Sequence, residues 1–120
     1  MCGLFGMTKF NSNYLSKARE ALHTLKHRGP DQWGDYYDDH VFIGHQRLSI
    51  LDLSDKGRQP LISIDGSVVV SVNGEIYNYL TLKKELEPEF MFVSDSDSEV
   101  ILNGFMAWGI EGLLEKIDGM

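Results

Sequence analysis

Two apolar runs, Leu61–Ile64 and Val68–Val72, flank Asp65-Gly66, and no other stretch constrains the chain as strongly. The two central positions of a tight hairpin turn must tolerate positive φ, which Asp and Gly do, so the flanking runs are expected to pair as antiparallel strands. The second run, from Ser67 to Val72, is apolar enough to be covered on both faces, which predicts a central place in a sheet. It leads straight into Asn73-Gly74-Glu75-Ile76-Tyr77-Asn78. Such a stretch at a strand end is often just a turn. A side-chain amide beside an unobstructed backbone N–H is also how an oxyanion is bound.

The other segments point to a mixture of strands and helices. Cys2–Thr8 reads as a short strand in which Gly3 and Gly6 suggest close approach of another backbone or a ligand. Asn13 is placed to cap a helix with Tyr14, Ala18, Ala21, Leu22 and Leu25 at helical spacing, ended by Gly29-Pro30. Val41–Ile50 is a strand candidate interrupted by the polar Gly44-His45-Gln46-Arg47. Asn78 starts a helix carrying Tyr79, Leu82 and Leu86 and closed by Pro88; Phe90–Val93 reads as a strand. Ser96 and Glu99 form a capping box, with Asp97 in the first turn of a helix that presents Ile101, Leu102, Phe105 and Trp108. Gly109 separates it from a further helix with Ile110, Leu113, Leu114 and Ile117.

Composition narrows the function classes. With 42% hydrophobic and 24% charged residues, 120 residues suffice for one globular core. Eleven basic against eighteen acidic residues give a net charge of −7, and no basic run occurs. Nucleic acid and anionic membrane are therefore not the expected partners. No membrane-length apolar run or signal-peptide pattern is visible, and one cysteine cannot close an internal disulfide. A cytoplasmic location is expected.

Cys2 is that cysteine. It is either a small buried hydrophobe or, with Met1 removed, a thiol and a free α-amine on one residue, nucleophile and base together. Arg47 within a strand is either exposed or held by an anion. His45 reads as a satisfied or exposed histidine, since no second ligand stands at metal spacing.

Four stretches combine into one pattern: Met1-Cys2-Gly3-Leu4-Phe5-Gly6; His27-Arg28-Gly29-Pro30-Asp31; Arg47-Leu48-Ser49-Ile50 with Asp52 and Gln59-Pro60; and Asn73-Gly74-Glu75-Ile76-Tyr77-Asn78. In this order and spacing they resemble the glutaminase domain of glutamine-dependent asparagine synthetases, class II amidotransferases of the N-terminal-nucleophile hydrolase type. The resemblance runs over nearly the whole chain. It implies an α+β, four-layer αββα sandwich, of which residues 1–120 are the N-terminal part, C-terminally incomplete and lacking the synthetase domain. It also implies hydrolysis of glutamine to glutamate and ammonia, the ammonia passing to an ATP-dependent amidation with aspartate as default acceptor.

By the same resemblance Cys2 is the nucleophile, while the Asn73 amide and Gly74 N–H bind the oxyanion. Arg47 grips the substrate α-carboxylate, and Asp97, helped by Glu75, receives the α-ammonium. His27–Asp31 and Gln59-Pro60 resemble structural turns of the pocket wall. The expected partners are glutamine and a synthetase domain in cis or in trans, with an oligomer possible. No cofactor or metal is expected in this domain, since ATP and Mg belong to the synthetase part. Family members usually carry Thr where this chain has Ser98, and no Ser-Gly-Gly-type pyrophosphate loop is present. The competing expectations are a catalytically silent glutamine-binding or scaffolding module and, more weakly, a redox or metal protein built on Cys2 and the four histidines.

Overall fold

A computed structural model describes residues 1–120, which divide into two compact units. The first comprises Met1–Ile50, Arg58–Pro60 and Ser71–Asn73; the second comprises Leu51–Gly57, Leu61–Val70 and Gly74–Met120. Both mix helices with antiparallel pairs, as the α+β expectation requires.

In the first unit, β1 (Gly3–Thr8), β3 (Val41–Arg47) and β2 (Gln32–Tyr37) form an antiparallel sheet in the order β1-β3-β2. The register sets Leu4 and Gly34 on either side of His45. Helix α1 (Leu15–His23) lies against one face of this sheet. Alternation along β3 explains how. Phe42 packs with Ala18, Leu22 and Phe10, Gly44 leaves room for the Leu22 side chain, and Gln46 donates its amide to the Leu22 carbonyl at 3.3 Å. His45 and Arg47 consequently lie on the opposite face of the strand. The aromatic rings of Phe10 and Phe42 meet at 5.7 Å, within the range of favourable tilted pairs.

Several expectations for this unit are corrected. The cap is Asn11, whose side chain accepts the Asn13 N–H in a short 3-10 turn, and α1 begins only at Leu15. The helix ends at His23, so Leu25 falls in the turn after it. β3 runs unbroken through Gly44-His45-Gln46-Arg47, because both of its edges are paired and each of its buried polar side chains has a hydrogen-bond partner, His45 at Val72, Gln46 at Leu22 and Arg47 at Gln32. β2 went unrecognised: Gln32-Trp33-Gly34-Asp35-Tyr36-Tyr37 has no clean period-2 alternation, and its pairing with β3 is long-range.

In the second unit, β4 (Leu61–Ile62) and β5 (Val69–Val70) form the expected hairpin, with the Ser63 N–H donating to the Val68 carbonyl. Only Gly66 takes positive φ, at 72°; Asp65 instead accepts from Ser63, from Ser67 and from the Ser67 backbone. β5 is half-buried in a two-stranded sheet and not central.

Helix α2 (Tyr79–Leu86) and helix α3 (Glu99–Lys116) enclose the second core, where Ile76, Leu82, Leu86 and Val100 are buried. Gly109 breaks α3 at φ 68°, as its position between two helical patterns predicts. Phe90–Val93 is not a strand. The N–H groups of Val93 and Ser94 turn instead to the buried carboxylate of Glu99, each at 2.8 Å. The Ser96–Glu99 capping box is absent for the same reason: Glu99 is committed to Val93 and Ser94, and Ser98 stands at the N-cap. Asp97 sits in the turn before α3, not inside its first turn.

Candidate functional site

The sequence-derived site residues divide between the units: Cys2, Arg47 and Asn73 in the first, Gly74, Glu75 and Asp97 in the second.

In the first unit Cys2 immediately precedes β1, and antiparallel pairing carries it to the far end of β3. There the Leu48 N–H points at its sulfur at 3.4 Å, and the Leu48 carbonyl lies 3.8 Å away. The Cys2 carbonyl accepts from Arg28 Nε at 3.0 Å. Side chain and backbone of Cys2 are thus both held, and the thiol is half-buried, not sealed in the core. The His27–Asp31 turn packs on the same strand end. The Asp31 N–H donates to the Arg47 carbonyl at 3.1 Å, its carboxylate accepts the Ser49 N–H at 2.8 Å, and a Cβ on Gly29 would collide with the Gln46 carbonyl. The glycine is required there by backbone contact.

Arg47 is 4% exposed and donates to Gln32 Oε1 at 2.7 Å. Of the two readings of this arginine, exposure is overturned. Gln32, on neighbouring β2, is a site component that sequence reasoning missed, since only the register brings it to Arg47.

Asn73 is exposed, and the chain leading to it is held by two side chains. The Val72 N–H donates to Gln59 Oε1 at 2.6 Å, and the Val72 carbonyl lies 3.0 Å from His45 Nε2. The peptide before Pro60 is cis. His45 is 0% exposed, and burial pushes its pKa below the ordinary 6.5; the Val72 bond partly opposes the shift, and the Arg47 charge adds a smaller push in the same direction as burial.

In the second unit Asp97 is 7% exposed, and its carboxylate accepts the Ile76 N–H at 2.8 Å. That bond sets Asp97 beside the backbone that follows Glu75. Glu75 itself exchanges backbone hydrogen bonds with Met120 at 2.9 and 3.0 Å, and the Asn78 side chain spans the Lys116 carbonyl and the Asp118 N–H. The Asn73–Asn78 motif is therefore also an anchor for the last residues of the chain.

A cavity of about 460 Å³ in this unit is bounded by Lys83, Phe92 and Asp95, but Lys83 already pairs with Asp95 at 3.2 Å and with the Ser94 carbonyl. No group of three or more His, Cys, Asp or Glu side chains stands close enough to hold a metal ion.

A family model described as a glutamine amidotransferase domain matches residues 1–120. The chain belongs to this family. As a glutamine amidotransferase domain, it is 38% identical over 123 residues to asparagine synthetase B [glutamine-hydrolyzing] of Escherichia coli (strain K12), covering 100% of the chain and 22% of the relative. It is 39% identical over 128 residues to asparagine synthetase [glutamine-hydrolyzing] 1 of Bacillus subtilis (strain 168), with 100% and 20% covered. Amidase chry2 of Gibberella zeae is 42% identical over 98 residues, which cover 80% of the chain and 15% of the relative. The chain spans about a fifth of the length of the curated relatives it matches from end to end. No helix of this amidotransferase domain is long and apolar enough to cross a membrane.

Proposed function

We propose that the chain hydrolyses glutamine to glutamate and ammonia, with Cys2 as nucleophile. Removal of Met1, which is 65% exposed, turns the Cys2 amide nitrogen into an amine able to take the thiol proton. The thiolate adds to the glutamine side-chain amide carbon. The Asn73 amide and the Gly74 N–H stabilise the resulting oxyanion, a contribution of about 3 to 4 kcal/mol per preorganised donor. The C–N bond then breaks, the amine returns its proton to the leaving nitrogen, and ammonia departs from a Cys2 thioester. Water cleaves the thioester to release glutamate and restore the thiol.

Arg47 binds the substrate α-carboxylate through its planar fork, and Asp97 with Glu75 receives the α-ammonium. Two clamps of opposite sign select the free amino acid over a glutamine within a peptide. The observation that carries this reading is the single family match, which spans every one of these residues from 1 to 120.

We assign the chain to the N-terminal part of a four-layer αββα sandwich and the ammonia to a synthetase domain, in cis or in trans, that binds ATP and Mg; the glutaminase part needs no cofactor. Aspartate is the proposed acceptor, on the strength of relatives named asparagine synthetases. The proposed compartment is the cytoplasm. The deciding assay follows glutamate and ammonia released from glutamine by the wild type and by Cys2→Ala. Release that depends on Cys2 supports the reading, while glutamine binding without release identifies a silent binding module.

A further inference from the structure

We propose that His45 is a positioning residue for the oxyanion-binding Asn73, acting by holding the Val72 carbonyl one residue upstream. This rests on the glutaminase reading above.

Residues 71–73 belong to no strand, so no ladder sets the direction in which the chain presents Asn73. Two side chains do so instead, one on each polar group of Val72: Gln59 Oε1 takes the N–H at 2.6 Å and His45 Nε2 meets the C=O at 3.0 Å. Together they set the orientation of the Val72 peptide units, and with it the direction in which Asn73 leaves. A donor that must meet a developing oxyanion has to be held within a fraction of an ångström, and residues behind it do the holding.

The tautomer follows from the partners. A carbonyl only accepts, so Nε2 must carry a proton. Nδ1 is buried and has no partner. A second proton there would be an unsatisfied buried donor beside the charge of Arg47, so the ring is neutral with its one proton on Nε2. The residues paired with His45 across the sheet, Leu4 and Gly34, are not ionisable, which leaves Arg47 on its own strand as the charge acting on it. A buried polar group without a partner calls for an explanation, and an apolar side chain would fill this space without the orphaned nitrogen. Such a side chain would, however, leave the Val72 carbonyl without the donor that His45 supplies at this point of β3.

The test compares wild type, His45→Ala and His45→Gln in glutamine hydrolysis. His45→Ala is expected to lower kcat at least tenfold while KM changes less than about threefold, and His45→Gln, whose amide N–H also reaches toward Val72, is expected to recover a third or more of kcat. A folded His45→Ala protein with wild-type kcat, or equal loss in both variants, overturns the proposal. Should the alanine protein fail to fold, the unaltered protein carries the test through its imidazole 15N shifts: an Nε2–H tautomer between pH 6 and 8 supports the proposal, and an Nδ1–H tautomer overturns it. If the wild type releases no ammonia, the glutaminase reading fails, while the tautomer still reports separately on the Val72 clamp.

Discussion

The Asp97 carboxylate accepts the Ile76 N–H at 2.8 Å, which fixes an acid from the turn before α3 beside the backbone that follows Glu75. One of the roughly four lone-pair sites of the carboxylate is thereby used to orient it, and the proposed role leaves its charge for a substrate ammonium. Asp97→Asn retains an oxygen for the Ile76 N–H and loses only the charge. Hydrogen bonds to charged groups contribute about 1.5–3 kcal/mol, so KM for glutamine is expected to rise roughly 10- to 100-fold, with little change in melting temperature. Steady-state kinetics with calorimetry checks this; an unchanged KM would reduce Asp97 to a tether for Ile76.

Arg47→Lys keeps the positive charge and removes the planar fork that reaches Gln32 at 2.7 Å. At a bidentate site this exchange is not conservative. A fall in kcat/KM of about tenfold or more is expected, most of it in KM, measured against glutamine. Equal affinity in the lysine protein would show that Arg47 is held for the fold alone.

Leu22 is fully buried and packs on both Phe42 and Gly44, so it sets the distance between α1 and β3. Leu22→Ala should destabilise the protein by about 2–5 kcal/mol in urea unfolding. Loss of under 1 kcal/mol would mean that the helix collapses onto the strand and fills the space.

Two groups give stability a pH dependence of known sign. The His45 pKa is lowered from 6.5 in the folded state, so below pH 6.5 the unfolded chain binds more protons. Stability is therefore expected to fall as pH drops from 6.5 toward the folded-state value, and His45→Gln should flatten that limb. The Asp65 pKa is lowered from 3.8 to about 2 by its serine donors in the hairpin turn. Its contribution is complete above pH 3.8 and is lost as pH falls through about 2; Asp65→Asn removes that segment of the curve. Urea unfolding between pH 2 and 8 reads both.

What the sequence made legible was local. Asp65-Gly66 announced a hairpin, and Gly109 a break between two helices, because each depends on the residue's own backbone freedom. β2 was invisible, since its residues become a strand only through long-range pairing with β3. Phe90–Val93 carried strand-like residues, yet a buried acid six residues beyond Val93 captured the N–H groups a ladder would have used. The candidate site residues are indicated by motifs that resemble a family, whereas Gln32 beside Arg47 and the His45–Val72 contact exist only once the sheet is built. Polarity in the middle of β3 looked like an interruption. It serves both faces of the strand: Gln46 bonds to α1 on one, and His45 and Arg47 reach Val72 and Gln32 on the other.

The most direct test of Cys2 as the nucleophile is the intact mass of the purified protein before and after 6-diazo-5-oxo-L-norleucine, a glutamine analogue that alkylates an activated nucleophile. The expected result is a protein without Met1 that gains one adduct on Cys2, blocked by free glutamine and absent in Cys2→Ala. A Met1-free protein that gains no adduct, or one whose adduct survives Cys2→Ala, would contradict the assignment of Cys2 as the glutaminase nucleophile.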